Sequence, residues 1–412
     1  MVKNLMLFLF LFMTVLYYFL RFQWGWDNYI IGFQVGLLSV FSLIGFINLL
    51  VNSHFYKNYE AVYVIIFIYC AFLLFITFFR GGVHGVSYGI KDYVLPVSLL
   101  LFYPIFILRE DIDKIFLMVA IIASFVSIIY LGEFISKNIL MSGYFHYTGG
   151  MRELTGSIGE TKVGYDEYSY FRLAGPISHN NSTGLMIAIG ALSSMALSKT
   201  KYSKYSKTLL LVNIVVLILT GARTAWLSFL VGYLFMNKIS IIKLFIYSVA
   251  GIFLVNMVLT LLPGFSSLIE LEGILKTFYI ILSQVEVLDL SRLYNIIVGS
   301  GYNYNGMLDR NSFFHPILQD DMFFIQLSTV FGLIPILLFI YFIFSNKNLI
   351  KNIKYDVQYR ASSAILLTFF ISTLHTNALV RPQLFPLFFL FVVILHKIKT
   401  KYLLGKAPLN RR

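Results

Sequence analysis

The chain of 412 residues is poor in charge and holds a single cysteine, and each shortage excludes something. One cysteine, Cys70, rules out an intrachain disulfide, and because it lies inside an apolar run it leaves the redox compartment open. Only 12% of residues are charged, against 58% hydrophobic, which excludes a disordered or strongly solvated chain. No soluble domain, internal repeat or low-complexity tract stands out. Acids are scarcer than bases, 19 to 32, and from Tyr168 to Ile269 there is no Asp or Glu at all, although Arg172 and Arg223 fall in that window.

What the chain has instead is repeated apolar runs of about 17 to 25 residues, each long enough to cross a hydrocarbon core. The pattern predicts an all-α, polytopic membrane protein whose residues 1–412 form one transmembrane domain. Spans are expected near 4–20, 29–51, 60–79, 93–108, 115–135, 176–197, 241–262, 322–344, 361–378 and 383–396. The first run ends on Arg21, Phe22 and Trp24 without a small-residue cleavage site, so it reads as a span and not as a leader.

The stretch 211–235 scores as one more span with Arg223 at its midpoint, where a permanent cation costs several kcal/mol. Lys199, Lys201, Lys204 and Lys207 precede it, and Lys238 and Lys243 follow it. Short loops rich in Lys and Arg stay inside, so both flanks are cytoplasmic and the segment must leave and return. It is therefore expected as two helices, Tyr202 to Thr220 and Ala225 to Lys243, with Gly221, Ala222, Arg223 and Thr224 as the outer turn. About twelve spans follow, with both termini cytoplasmic. Lysine dominates the expected inner segments and arginine the outer ones, so the basic excess is topological and does not indicate nucleic acid. Arginine's planar fork suits a bidentate grip on phosphate.

Two long outer connections stand out, 136–175 and 264–321. The first is rich in Gly and Tyr and carries His146, Arg152, Glu153 and Glu160; it suits a sugar-binding surface, and a plain ordered loop accounts for the same composition. The second opens with Leu268, Leu271, Leu275, Phe278, Leu282 and Val285, the spacing of one apolar stripe on an amphipathic helix. Such a helix lies along the membrane surface or packs on neighbouring spans. Beyond it, Arg292, Arg310, His315, Asp320 and Asp321 crowd against the start of a span at Met322. One of the two aspartates can serve as a helix cap, worth about 1 kcal/mol, but a cap needs only one carboxylate.

Four separated patches now carry a resemblance: "FRLAGPISHNNSTGL" opening a span, "LTGARTAW" at the hairpin tip, "SRLYNIIVGSGYN" in the second long connection, and "DMFFIQLSTVFGLIP" entering the next span. In this order they resemble the membrane O-antigen polymerase and ligase superfamily. The resemblance implies a GT-C-like, inverting glycosyltransferase of the bacterial inner membrane that needs neither metal nor cofactor. Its donor would be a glycan on undecaprenyl diphosphate, its surroundings membrane lipids, and a chain-length regulator protein a possible partner. The arginines that grip the diphosphate match Arg172, Arg223 and Arg292. The ligases have a His where this chain has Asp321, which favours the polymerase branch and makes Asp321 the first candidate for catalytic base, with His315 second. The arginine-to-glycine spacings of some polymerase loops are not reproduced cleanly.

Arg310, Asp320, Arg152 and His375 are secondary candidates; Arg381, like His375, flanks the last outer turn, where interface anchoring is its ordinary role. A protein partner for Arg172 and Arg223, such as Glu167 or Asp320, is the competing account of the unpaired arginines. Two rival functions stay open at this stage: an O-antigen ligase that moves finished glycan onto lipid A core, and a lipid-linked oligosaccharide flippase. A flippase is disfavoured because no matching halves are found and polar residues gather outside the expected midplane.

Overall fold

In the computed structural model the described residues are 27–51, 61–107, 112–135, 161–163, 170–172, 175, 177, 180–237, 337, 356–373 and 384–403. They form helices α1 (Asp27–Val51), α2 (Ala61–Gly89), α3 (Leu95–Phe106), α4 (Ile112–Phe134), α5 (Asn180–Ala196), α6 (Ser203–Leu219), α7 (Arg223–Met236), α8 (Val357–Thr373) and α9 (Phe385–Leu403). Apart from one pairing of two three-residue strands, β1 (Thr161–Val163) and β2 (Tyr170–Arg172), the architecture is all-helical. The strand pair lies in the connection 136–175, and it is antiparallel with Thr161 opposite Arg172.

Among the described residues one helix, Ile112–Phe134, is long and apolar enough to cross a membrane; shorter apolar helices include Tyr63–Phe79 and Phe385–Ile398. The chain divides into two compact units, and each is described by itself.

In the first unit, α4, α5, α6 and α7 pack with residues 363–372 of α8 around a seam of small and hydroxylated side chains. The sequence of α5, NNSTGLMIAIGALSSMA, explains the close approach. Where a helix presents Gly, Ala and Ser, neighbouring backbones come near enough for dispersion contacts and interhelical hydrogen bonds. A Cβ on Gly190 would collide with the Cβ of Ala123 in α4. Gly232 of α7 is closed off by Thr368, Leu192 and the Ala364 carbonyl in the same way.

Within this largely apolar interior a few polar side chains are hydrogen-bonded between helices. Asn213 of α6 donates from Nδ2 to Ser124 Oγ at 3.1 Å and accepts at Oδ1 from Ser127 Oγ at 2.8 Å, both on α4. Ser206 Oγ donates to the Ser194 carbonyl at 2.8 Å, which sets the start of α6 beside the end of α5, and Thr368 Oγ1 donates to the Ser228 carbonyl at 3.0 Å. The outside is apolar as well: Phe125 and Ile128 on α4, Leu211, Val215 and Ile218 on α6, and Leu227 and Phe235 on α7 are exposed.

In the second unit, α2 runs 29 residues, about 43 Å at 1.5 Å per residue, and passes through a π-helical stretch Ile90–Val94 into α3. The span expected to end at 79 therefore continues as helix through Arg80 and the glycines that follow, and the expected break at 80–92 is absent. Pro96 sits in the first turn of α3, where its missing N–H costs nothing, and Pro104 lies two residues before the helix ends at Phe106. The Pro104 carbonyl accepts from Lys397 Nζ at 2.8 Å, and the Pro386 carbonyl accepts from Tyr103 Oη at 3.2 Å, which joins α3 to α9 at two points. Gly45 of α1 lies 3.0 Å from the Leu101 backbone by its would-be Cβ, with Phe41 stacked on Phe102 at 4.4 Å between centroids. The face of α2 bearing Ile65, Ile68, Phe72, Phe75 and Phe79 is exposed at a helical three-four spacing.

Replacing Asn213 by Leu removes both seam bonds and should cost about 1–2 kcal/mol. Gly190→Leu forces α4 and α5 apart and should cost about 1–3 kcal/mol or more. Thermal unfolding of the full chain in lipid nanodiscs should rank wild type above Asn213→Leu above Gly190→Leu. Equal midpoints would contradict the packing described.

Candidate functional site

Two of the sequence-expected arginines belong to described residues, and both fall in the first unit. Arg172 closes strand β2, and Arg223 is the first residue of α7. The following landmarks show where those backbones lie.

Gly175, three residues past Arg172, has a φ of 69°, the left-handed region open to glycine at little cost. It is wedged against α5 and α4: an added Cβ would lie 2.7 Å from Thr183 Cγ2 and 2.8 Å from Tyr130 Cδ2. Two residues on, the Ile177 N–H donates to Thr183 Oγ1 at 3.4 Å. Gly175 and Ile177 are therefore docked on the first turns of α5.

Gly184, the next residue of α5, touches the other arginine's neighbourhood. Its would-be Cβ lies 2.8 Å from Ala225 Cβ and 2.9 Å from Ala222 Cβ, the residues flanking Arg223 and Thr224. The turn before Arg223 is tight and well bonded. Thr220 Oγ1 donates to the Leu217 carbonyl at 2.7 Å and accepts from the Ala222 N–H at 3.2 Å, while Gly221 takes a φ of 61°. Trp226 Nε1 donates back across the hairpin to the Leu217 carbonyl at 2.6 Å. A turn stands where the sequence places one, with helices ending at Leu219 and restarting at Arg223.

Thr183 and Gly184 are consecutive, so Gly175, three residues past Arg172, and the turn that opens α7 at Arg223 come to the same end of α5, its N-terminal end. The opposite end of the hairpin carries the exposed Lys199, Lys201, Lys204 and Lys207. Between the two ends α6 rises about 25 Å over its 17 residues. The N-termini of α5 and α7 both open at this end, where their macrodipoles put partial positive charge. An arrangement of this kind favours a multiply charged anion.

One acid of this unit went unnoticed in the sequence. Glu133 of α4 is 3% exposed and lies one turn beyond Tyr130, at the arginine end. It ends an apolar helix, and nothing in the sequence distinguishes it from an ordinary span-terminal carboxylate.

Arg292, His315, Arg310, Asp320, Asp321, Arg152 and His375 lie outside the described residues, as does most of 136–175 and all of 264–321. Among the described residues no three His, Cys, Asp or Glu side chains form a metal-sized cluster. No family model, curated protein or solved structure matches the chain.

Substituting Gly175 by Ala adds a Cβ at a positive φ and against Thr183 and Tyr130, at a cost of about 1–2 kcal/mol from the backbone alone. The expected result is a lower unfolding midpoint for Gly175→Ala than for Gly32→Ala, whose added Cβ meets nothing within 4 Å. Equal midpoints would show that 175 is not docked.

Proposed function

We propose that the protein is a multi-pass membrane glycosyltransferase that joins lipid-diphosphate-linked oligosaccharide repeats into a surface polysaccharide, at the outer face of a bacterial inner membrane. The observation that carries the reading is the arrival at one end of α5 of Gly175, three residues past Arg172, and of the turn that opens α7 at Arg223, in a stretch without an acid from Tyr168 to Ile269. A lipid diphosphate concentrates negative charge at headgroup level, where that end would lie.

Support for a multi-pass chain comes from the outward faces of the helices. Phe125, Ile128, Leu211 and Val215 are exposed although the interior is itself apolar, with Ile187, Ile189 and Leu192 buried alongside Ser194 and Asn213. Helices apolar on both faces suit hydrocarbon better than water. The lysine-rich end would be cytoplasmic and the arginine end external, in a layout of about twelve spans.

In the reaction proposed, an acceptor sugar hydroxyl attacks the anomeric carbon of the donor glycan from the face opposite the diphosphate. The bond to the diphosphate oxygen breaks, the configuration inverts, and undecaprenyl diphosphate departs. Arg172, Arg223 and Arg292 stabilise the charge that develops on the leaving oxygen, a contribution of about a hundred- to a thousandfold for a single well-placed donor. Asp321, or else His315, takes the hydroxyl proton, worth about a hundred- to ten-thousandfold. The lipid tethers of both substrates hold the ends together.

Arg223→Ala, which leaves the Gly221 turn intact, should lower polymerisation by about a hundredfold. The measurement is the length distribution of surface glycan: single repeats should persist while the ladder of longer chains disappears. A full ladder in the variant would refute the polymerase reading. Long chains stranded on the lipid carrier would point to the ligase, and loss of every surface repeat to the flippase.

A further inference from the structure

We infer that one face of α6 is a binding site for an anionic phospholipid, with the headgroup phosphate on Lys204 and Lys207 and an acyl chain along Leu211, Val215 and Ile218. The inference rests on the multi-pass reading above and not on the reaction proposed there.

At about 100° per residue, positions 204, 207, 211, 215 and 218 fall within about 40° of one line down the helix. All five side chains are exposed, while Ser206, Asn213, Val216 and Leu217 on the other side are buried. The exposed face therefore changes character once along its length, from two cations near the start of α6 to three branched aliphatic side chains. Lys207 and Leu211 are one turn apart, about 6 Å, and the apolar part runs about 10 Å further to Ile218. Charge followed by hydrocarbon is the profile of a phospholipid read from headgroup to chain, and a lysine stem can lie on the apolar part while its ammonium stays at headgroup level. Helix α4 extends the apolar part at the same height. Asn213 is bonded to Ser124 and Ser127, and their neighbours Phe125 and Ile128 are exposed.

Charge complementarity names the occupant. Lys199 and Lys201, also exposed, stand just before α6, so four ammonium groups gather in one short stretch. No acid occurs from Tyr168 to Ile269 to neutralise them. At this end of α4, Asp113 is followed by Lys114, so that helix start brings no net charge. Among the described residues no ion pair engages any of the four lysines; Lys201 Nζ lies 5.2 Å from the centroid of the Tyr202 ring. Cations near the start of a helix oppose its macrodipole, so Lys204 and Lys207 do not serve the stability of α6 itself. An anionic headgroup supplies the missing charge, whereas a zwitterionic one brings its own cation with it. A soluble anion would leave the apolar stripe beside the lysines unused.

The test places a bimane fluorophore at Val215→Cys, in a Cys70→Ser background, on the full chain reconstituted into phosphatidylcholine bilayers, and reads quenching by phospholipids brominated in the acyl chain. Brominated phosphatidylglycerol should associate about twentyfold more tightly than brominated phosphatidylcholine, and salt should narrow the difference. Lys204→Gln and Lys207→Gln should each cut the preference about fivefold, and together remove most of it. Lys204→Arg with Lys207→Arg should retain it, because charge and not packing is being read. A probe at Leu43→Cys, exposed on α1 where the helix carries no cation, should be quenched by both lipids alike. Equal association of the two lipids at 215, or a preference that survives the double Gln variant, would overturn the inference and leave the multi-pass reading standing. Quenching by neither lipid at either position would overturn both. Displacement of brominated phosphatidylglycerol by millimolar glycerol 1-phosphate would overturn the lipid assignment in favour of a soluble anion.

Discussion

The constraint on which the first unit depends is steric. Helix α5 offers Gly184 and Gly190 to its neighbours, and there is no room for a methyl group at either position. Gly190 sets the distance to α4, and Gly184 sets the distance to the turn that starts α7. Once these two contacts are made, the Asn213 bonds to Ser124 and Ser127 fix the register of α6 against α4. The location of Arg223 is then decided, because it is the first helical residue after a turn clamped by Thr220 and Trp226. Gly175 repeats the device for Arg172, through close contact with Thr183 and Tyr130. The chain just past Arg172 and the turn at Arg223, some fifty positions apart in sequence, are thus brought to one end of α5 by glycine contacts that themselves carry no chemistry.

The bundle also sorts charge along its length. Lysines gather where α5 gives way to α6, and Arg223 stands where α6 gives way to α7. With a few hydroxyls and an amide among apolar side chains inside, and aromatic and branched aliphatic side chains exposed outside, the bundle is apolar on both faces.

Much of this was legible in the sequence, and the parts that were not have identifiable reasons. The hairpin around Gly221 followed from lysines on both flanks of an apolar stretch too charged at its centre to be one span; the observed helices, Ser203–Leu219 and Arg223–Met236, stand where that reasoning put them, although the second stops short of Lys243. Helices at Asp27–Val51 and Ile112–Phe134 follow directly from apolar runs of the right length. The continuation of α2 through Arg80 to Gly89 was missed because Arg, Gly and His after a run of phenylalanines read as a loop, whereas packing in the second unit keeps the backbone helical and absorbs the irregularity in a π stretch. The pairing of Thr161–Val163 with Tyr170–Arg172 was missed because three-residue strands give no periodicity to detect. Glu133 was passed over for a different reason: its burial is a property of the neighbours that α4 acquires on folding, and no local pattern reports it.

The central claim is that Arg172 and Arg223 reach the same external pole and there meet a diphosphate. The most direct measurement is sided thiol labelling of Arg172→Cys and Arg223→Cys, each in a Cys70→Ser background, in right-side-out membrane vesicles with an impermeant maleimide. Both cysteines should react from the outside, and added polyprenyl diphosphate should slow both. Labelling of one position only from the inner face would contradict the account.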